Sequence, residues 1–254
     1  MPELGARARQ DLAPPAQAAM NAAGRTVGAA FAVVSRLRGA KSLHPEGVVH
    51  EGVLRVYGNG VAPPAATLLR EAAEHAAIVR FSRSIGLPRR VPDLLGISMR
   101  LPDVYGPGRH QDVLAVTSID APVAHHVFVP ASDFQQRVYS TSLPYRSGAS
   151  TYILGFRPVA ASPRPPGHDE QDRLARAAAT GGLRFEFVLA PVMGSFAAVG
   201  ELRIGGRLPP ESDLTRFNPW NTGGGLELTG VLNRLRDYAY PLSQEGWQRA
   251  LQRS

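Results

Sequence analysis

Between Val48 and Gly205 the chain repeatedly takes up a two-residue period. LRFEFVLA, Leu183 to Ala190, shows it most cleanly: Leu183, Phe185, Phe187 and Leu189 are apolar, while Arg184 and Glu186 between them are charged. Successive side chains of an extended backbone point to opposite faces, so such a segment is a strand with one face for a core. VVHEGVLRVYG (48–58), AIVRFSRS (77–84), LGISMRLP (95–102), DVLAVTS (112–118), HHVFVP (125–130), STYILGFRP (150–158) and SFAAVGELRIG (195–205) carry related patterns. Strand candidates joined by short turns leave no room for βαβ crossovers. They predict an antiparallel sheet large enough to close into an eight-stranded barrel. On the HHVFVP strand, His125 and His126 would face opposite ways and could not easily share a metal.

Helices are predicted at the margins of this pattern. Ala16–Arg38 is alanine-rich with one apolar face, and Ala65–Ala76 and Asp169–Ala179 are helix-forming in composition. The stretch 225–240 reads as an amphipathic helix stopped by Pro241. The class is therefore α+β, mainly β. Residues 1–37 are a loose and then helical N-terminal segment, and 38–254 are one barrel domain. A chain of 254 residues, 44% of them hydrophobic, can bury a core of that size.

Composition removes several function classes. Cysteine is absent, which excludes disulfides, thiol nucleophiles and thiolate metal sites. The formal charge is +7, yet Lys41 is the sole lysine and the arginines are scattered, with only Arg89 and Arg90 adjacent. No basic run interleaved with aromatics exists, so the charge is read as a solvated surface and not as a nucleic-acid interface. No stretch approaches the roughly 20 apolar residues of a membrane span, and no signal peptide is recognisable, so a cytoplasmic protein is expected.

The C-terminal segment RDYAYPLSQ, Arg236 to Gln244, holds a pattern with chemical content. Arg234 precedes Tyr238 by four residues, and Arg236 precedes Tyr240 by the same interval. Residues four apart share a helix face. A guanidinium beside a phenol favours the phenolate. A phenolate is a hard anionic ligand suited to ferric iron and is known as a haem axial ligand.

Arg236, Tyr240, Pro241, Ser243 and Gln244 resemble the proximal haem signature of catalases, in which Arg, three residues, Tyr and often Pro are followed by Asp-Thr and His or Gln. FNPWN, Phe217 to Asn221, lies upstream at nearly the family's distance, behind a Gly-x-Leu-x-Leu stretch, GELRI. KSLHPEG, Lys41 to Gly47, is similar to the family's distal-histidine motif, with His44 on the essential histidine. Arg80, Phe81, Ser82, Asp93, Gly96 and Arg100 fall at matching places in IVRFSRSIGLPRRVPDLLGISMR. HQDVLAVTS and GASTYIL are looser echoes. The similarity runs in family order over residues 38–250.

The resemblance implies a catalase-like eight-stranded antiparallel barrel with flanking helices, holding haem b. Tyr240 would ligate the iron and Arg236 would tune it. His44 would move protons at the distal face, oriented by Ser82. Arg80 and Lys41 would face the haem propionates, and Phe134 would match a distal-pocket phenylalanine. Thr117 stands where the family carries a distal asparagine, and Leu242 where it carries an aspartate. The family's long N-terminal arm, wrapping segment and terminal helical domain have no counterpart, which is the pattern of small catalase-like proteins. These departures point from rapid hydrogen peroxide dismutation towards peroxidase-type cleavage of hydrogen peroxide or organic hydroperoxides, and from a full tetramer, leaving room for a homodimer. A non-catalytic haem-binding protein for storage, transfer or sensing is the alternative on the same fold. A barrel carrying another small apolar ligand is a third reading.

Overall fold

In β8 (Arg184–Pro191) the alternation seen in the sequence is realised: Phe185, Phe187 and Leu189 are buried in the main core cluster, and Arg184 and Glu186 are only partly covered. The structure, a computed structural model, describes residues 46–229. Ten antiparallel strands are present among them: β1 (Glu46–Val56), β2 (Ala73–Arg83), β3 (Leu95–Leu101), β4 (Gln111–Ser118), β5 (Val138–Ser140), β6 (Tyr145–Ser147), β7 (Ser150–Pro158), β8, β9 (Ala197–Arg207) and β10 (Glu227–Leu228). Their order is β10-β6-β7-β5-β4-β3-β2-β1-β9-β8, and β8 pairs back onto β7. Strands β7, β5, β4, β3, β2, β1, β9 and β8 therefore form a closed eight-stranded barrel. Closure removes the open edges that would otherwise template aggregation.

The registers of β1 to β4 define two faces. Val49 lies opposite Arg80, Arg80 opposite Ser98, and Ser98 opposite Leu114. The intervening residues Phe81, Ile97 and Ala115 fill the barrel. Phe81 packs edge-on against Phe134, with ring centroids 5.2 Å apart, and lies 5.9 Å from Phe185. The interior is therefore packed with side chains and does not form a ligand cavity.

Helix α2 (Glu170–Ala179) adds Leu174 and Ala177 to the same core. Its start is fixed by Asp169, whose carboxylate accepts from the Asp172 N–H at 2.8 Å.

Several sequence expectations change. Of the predicted helix at 65–76, only the turn α1 (Thr67–Arg70) is helical. Residues 73–76 extend β2 and pair with 53–56 of β1. Ladder pairing outweighs the helix preference of alanine and glutamate there. HHVFVP is not a strand. Ala124–His126 form a 3-10 turn, and Phe128 makes a single bridge to Ser118. Prolines 122 and 130 flank it and limit ladder formation. Within the predicted helix at 225–240, Glu227–Leu228 form β10 against β6. The rest of that helix, and the predicted helix at 16–38, lie outside the described residues.

Candidate functional site

Strand β2 carries the candidate residues that the structure brings together. Arg80 and Ser82 project from the outer face of the barrel on either side of the inward Phe81. At the level of Ser82 the neighbouring strands present Gly47 and Gly96. Ser82 is fully buried. The Arg80 guanidinium lies directly over Gly47: a Cβ built there would come within 2.6 Å of its Cζ. Position 47 must lack a side chain for that guanidinium to rest on β1. Gly47 is three residues beyond His44 in the sequence. His44 itself, with Lys41, Arg236 and Tyr240, lies outside the described residues.

The next outward pair, Arg100 on β3 and Asp112 on β4, anchors the FNPWN segment. Arg100 donates through Nε and Nη2 to Asp112 at 2.7 and 2.6 Å, and through Nη2 to the Arg216 carbonyl at 2.6 Å. Asp112 is fully buried and also accepts from the Asn218 N–H at 2.7 Å and the Asn221 amide at 3.0 Å. The Asp112 N–H donates back to the Asn221 carbonyl at 2.8 Å. The Arg100 guanidinium sits 5.3 Å above the Phe217 ring. Its hydrogen bonds to Asp112 raise the pKa of Arg100, with burial acting the other way. The segment leading towards the C-terminal tyrosines is thus fastened to the outer face that carries Arg80 and Ser82.

Two candidates lie elsewhere. Thr117 points into the barrel, since its neighbours Val116 and Ser118 share the outward face with Asp112 and Leu114. Its buried hydroxyl donates to the Val129 carbonyl at 2.7 Å and accepts from the Leu95 N–H at 3.2 Å. That hydroxyl holds the 124–130 segment to the barrel. Phe134 is a core residue against Phe81, and its carbonyl accepts from the Tyr139 hydroxyl at 2.8 Å. The sheet wall separates both from Arg80 and Ser82.

A buried charge cluster escapes sequence reading in part. Asp93 accepts from the N–H groups of Ile85, Gly86 and Leu87 at 3.0, 2.9 and 3.0 Å, closing the loop after β2. Arg83 lies 3.4 Å from Asp93 and donates to Glu170 at 2.7 Å, all three being buried. Asp93 was legible as a motif position. The Arg83–Glu170 pair joins residues 87 apart, and nothing local marks it.

Among the described residues no cluster of three or more His, Cys, Asp or Glu could hold a metal ion. No helix among them is long and apolar enough to cross a membrane.

The closed antiparallel barrel with few helices defines a mainly β fold whose outer wall carries the candidate site. A solved structure of a bacterial catalase shares this fold, with a TM-score of 0.56 at 14% identity. The match covers 80% of this chain and 56% of that one, so the chain spans little more than half of that catalase. No family model matches the sequence, and no curated protein does.

Proposed function

We propose that the chain binds haem b against the outer face of β1–β4 and acts as a haem-dependent, catalase-like peroxidase on hydrogen peroxide or organic hydroperoxides. The observation that carries this reading is the placement of Arg80 and Ser82 side by side on that face, with the Arg80 guanidinium seated over Gly47. The fold shared with a bacterial catalase supports it. The residues suit the group. Gly47 and Gly96 flank Ser82 on that face and carry no side chains of their own, and Arg80 would supply a cation for a propionate.

Bound ferric haem would supply the redox centre at which an O–O bond is cleaved. The chain would do the rest. Tyr240 would hold the iron as a phenolate, and Arg236 would keep it ionised. His44 would take a proton from one peroxide oxygen and return it to the other. Ser82 would orient that imidazole, and Lys41 would join Arg80 on the propionates. Thr117 and Phe134 enter this reading as barrel residues.

Titrating haemin into the full chain tests it by absorption. A high-spin ferric spectrum should develop, and Tyr240→Phe should lose or alter it. A chain that takes up no haemin ends the proposal, and a spectrum that depends on Tyr238 instead moves the ligand. Consumption of a lipid hydroperoxide and dye peroxidation should both fall on His44→Ala. One observation favours the second reading, haem binding without efficient turnover: the hydroxyl of Thr117 is engaged inside the barrel and offers nothing to a bound peroxide. Haem uptake with no hydroperoxide consumption would select it.

A further inference from the structure

The loop that leaves β1 holds the sole Asn-Gly pair of the sequence, Asn59-Gly60. Both residues are exposed. The Tyr57 N–H still donates to the Val199 carbonyl at 2.9 Å. Beyond it the Asn59 side chain takes over the hold on β9, Nδ2 donating to the Ala198 carbonyl at 2.9 Å. Oδ1 of the same amide accepts the Val61 N–H at 3.2 Å.

A side-chain carbonyl bonded to the N–H two residues on closes an Asx turn. The turn folds Cγ of Asn59 back over the peptide that follows, whose nitrogen belongs to Gly60. The Gly60 N–H has no hydrogen-bond partner among the described residues. Gly60 has φ 74°, and a Cβ built there would meet nothing within 4 Å. At Gly58, φ 60°, a Cβ would come within 2.4 Å of the Ala72 nitrogen. The loop is thus fastened at 58 and open at 60, with an unshielded nitrogen beside an amide carbon.

The other described asparagines lack this combination. Asn218 precedes Pro219, which has no N–H to give up. Asn221 precedes the β-branched Thr222, and its amide is tied to the buried Asp112 at 3.0 Å.

We propose that Asn59-Gly60 is a modification site at which the native chain deamidates through a succinimide. The Gly60 nitrogen, giving its proton to water, bonds to Cγ of Asn59. The Cγ–Nδ2 bond breaks, and Nδ2 leaves as ammonia after taking up a proton. The Val61 N–H stabilises the charge that develops on Oδ1. Water then opens the ring: attack at the main-chain carbonyl gives isoaspartate, and attack at Cγ gives aspartate. No oxidant or reductant is needed. Either product replaces the Nδ2 donor by a carboxylate oxygen facing the Ala198 carbonyl, so the hold on β9 is lost. The loop then comes away between residue 59 and α1. The modification is independent of haem binding.

The full chain, kept folded at pH 8.5 and 37 °C and then digested with trypsin, tests this. Peptide 56–70 contains no other amide side chain. It should gain about 1 Da and split into two chromatographic forms. It should do so at least about tenfold faster than the peptide spanning Asn218 and Asn221. Conversion confined to urea-unfolded chain, or earlier conversion of the Asn218–Asn221 peptide, overturns the site. Asn59→Asp carries the product charge. It should be nicked between 59 and 66 at least about threefold faster than the native chain. Equal protection refutes the release of the loop.

Discussion

Phe81 and its neighbours Arg80 and Ser82 belong to one strand, yet they face two differently built surfaces. Inside, Phe81 meets His50, Phe134 and Phe185 in a wall-to-wall aromatic core. Outside, Arg80 and Ser82 stand among glycines, Ser98 and the Arg100–Asp112 pair. The inner face is saturated: side chains fill it, and even Thr117 is tied to backbone groups. Charge and low relief are kept on the outer face. With its interior filled by side chains, this barrel is a packed support and leaves no lumen for a ligand.

Truncating the inner face should have the largest effect. Phe81→Ala removes a wholly buried ring and should cost about 3–5 kcal/mol in urea unfolding. A loss below about 1 kcal/mol would mean that the interior can collapse around the gap and is not the close-packed support described.

On the outer face, Asp112→Asn keeps shape and removes charge. It should cost about 1.5–3 kcal/mol, because Arg100, Asn218 and Asn221 all lose a charged acceptor. Segment 216–221 should then become the first site of proteolytic nicking. If it stays protected while stability falls, Asp112 stabilises the barrel without anchoring the segment.

Thr117→Val tests the division between the faces more finely. The Val129 carbonyl loses its donor and the Leu95 N–H an acceptor, so about 1–3 kcal/mol should be lost. Haemin uptake should not change. A shifted haem spectrum in this variant would place Thr117 functionally on the other side of the wall.

The same residue shows how far sequence could reach. Strong alternation, as at Phe185 and Phe187, fixed both strand and inward face. The order of motifs led to Thr117 on β4, but side chains alternate, and one position decides the face. Val116 and Ser118 point outward; Thr117 does not. Strands β5 and β6, three residues each, are too short for a period to show. Residues 73–76 were hidden because their alanines and glutamate favour a helix until β1 offers a ladder. His125 and His126 both reach the Val192 carbonyl, and no local pattern announces either that or the φ of 63° at Val123 just before them. That Arg80 and Ser82 share a face was legible from the two-residue period alone.

The smallest effect expected concerns acid. Burial lowers the pKa of His50, which sits inside the barrel with Nδ1 3.1 Å from the Gly205 carbonyl, below the ordinary 6.5. Burial does the same to His75, and to His125 with help from His126. Above 6.5 these rings are neutral in both folded and unfolded chains, and their contribution is constant. As pH falls below 6.5 the unfolded chain takes up protons first, so stability declines until the lower folded pKa values are reached. Urea midpoints should therefore be flat above about pH 7 and fall below about pH 6.5. His50→Gln should make that slope shallower, since one inward imidazole no longer resists protonation. An unchanged slope would show that His50 reaches water easily in the folded chain, and the barrel interior would then be less sealed than the aromatic packing around Phe81 requires.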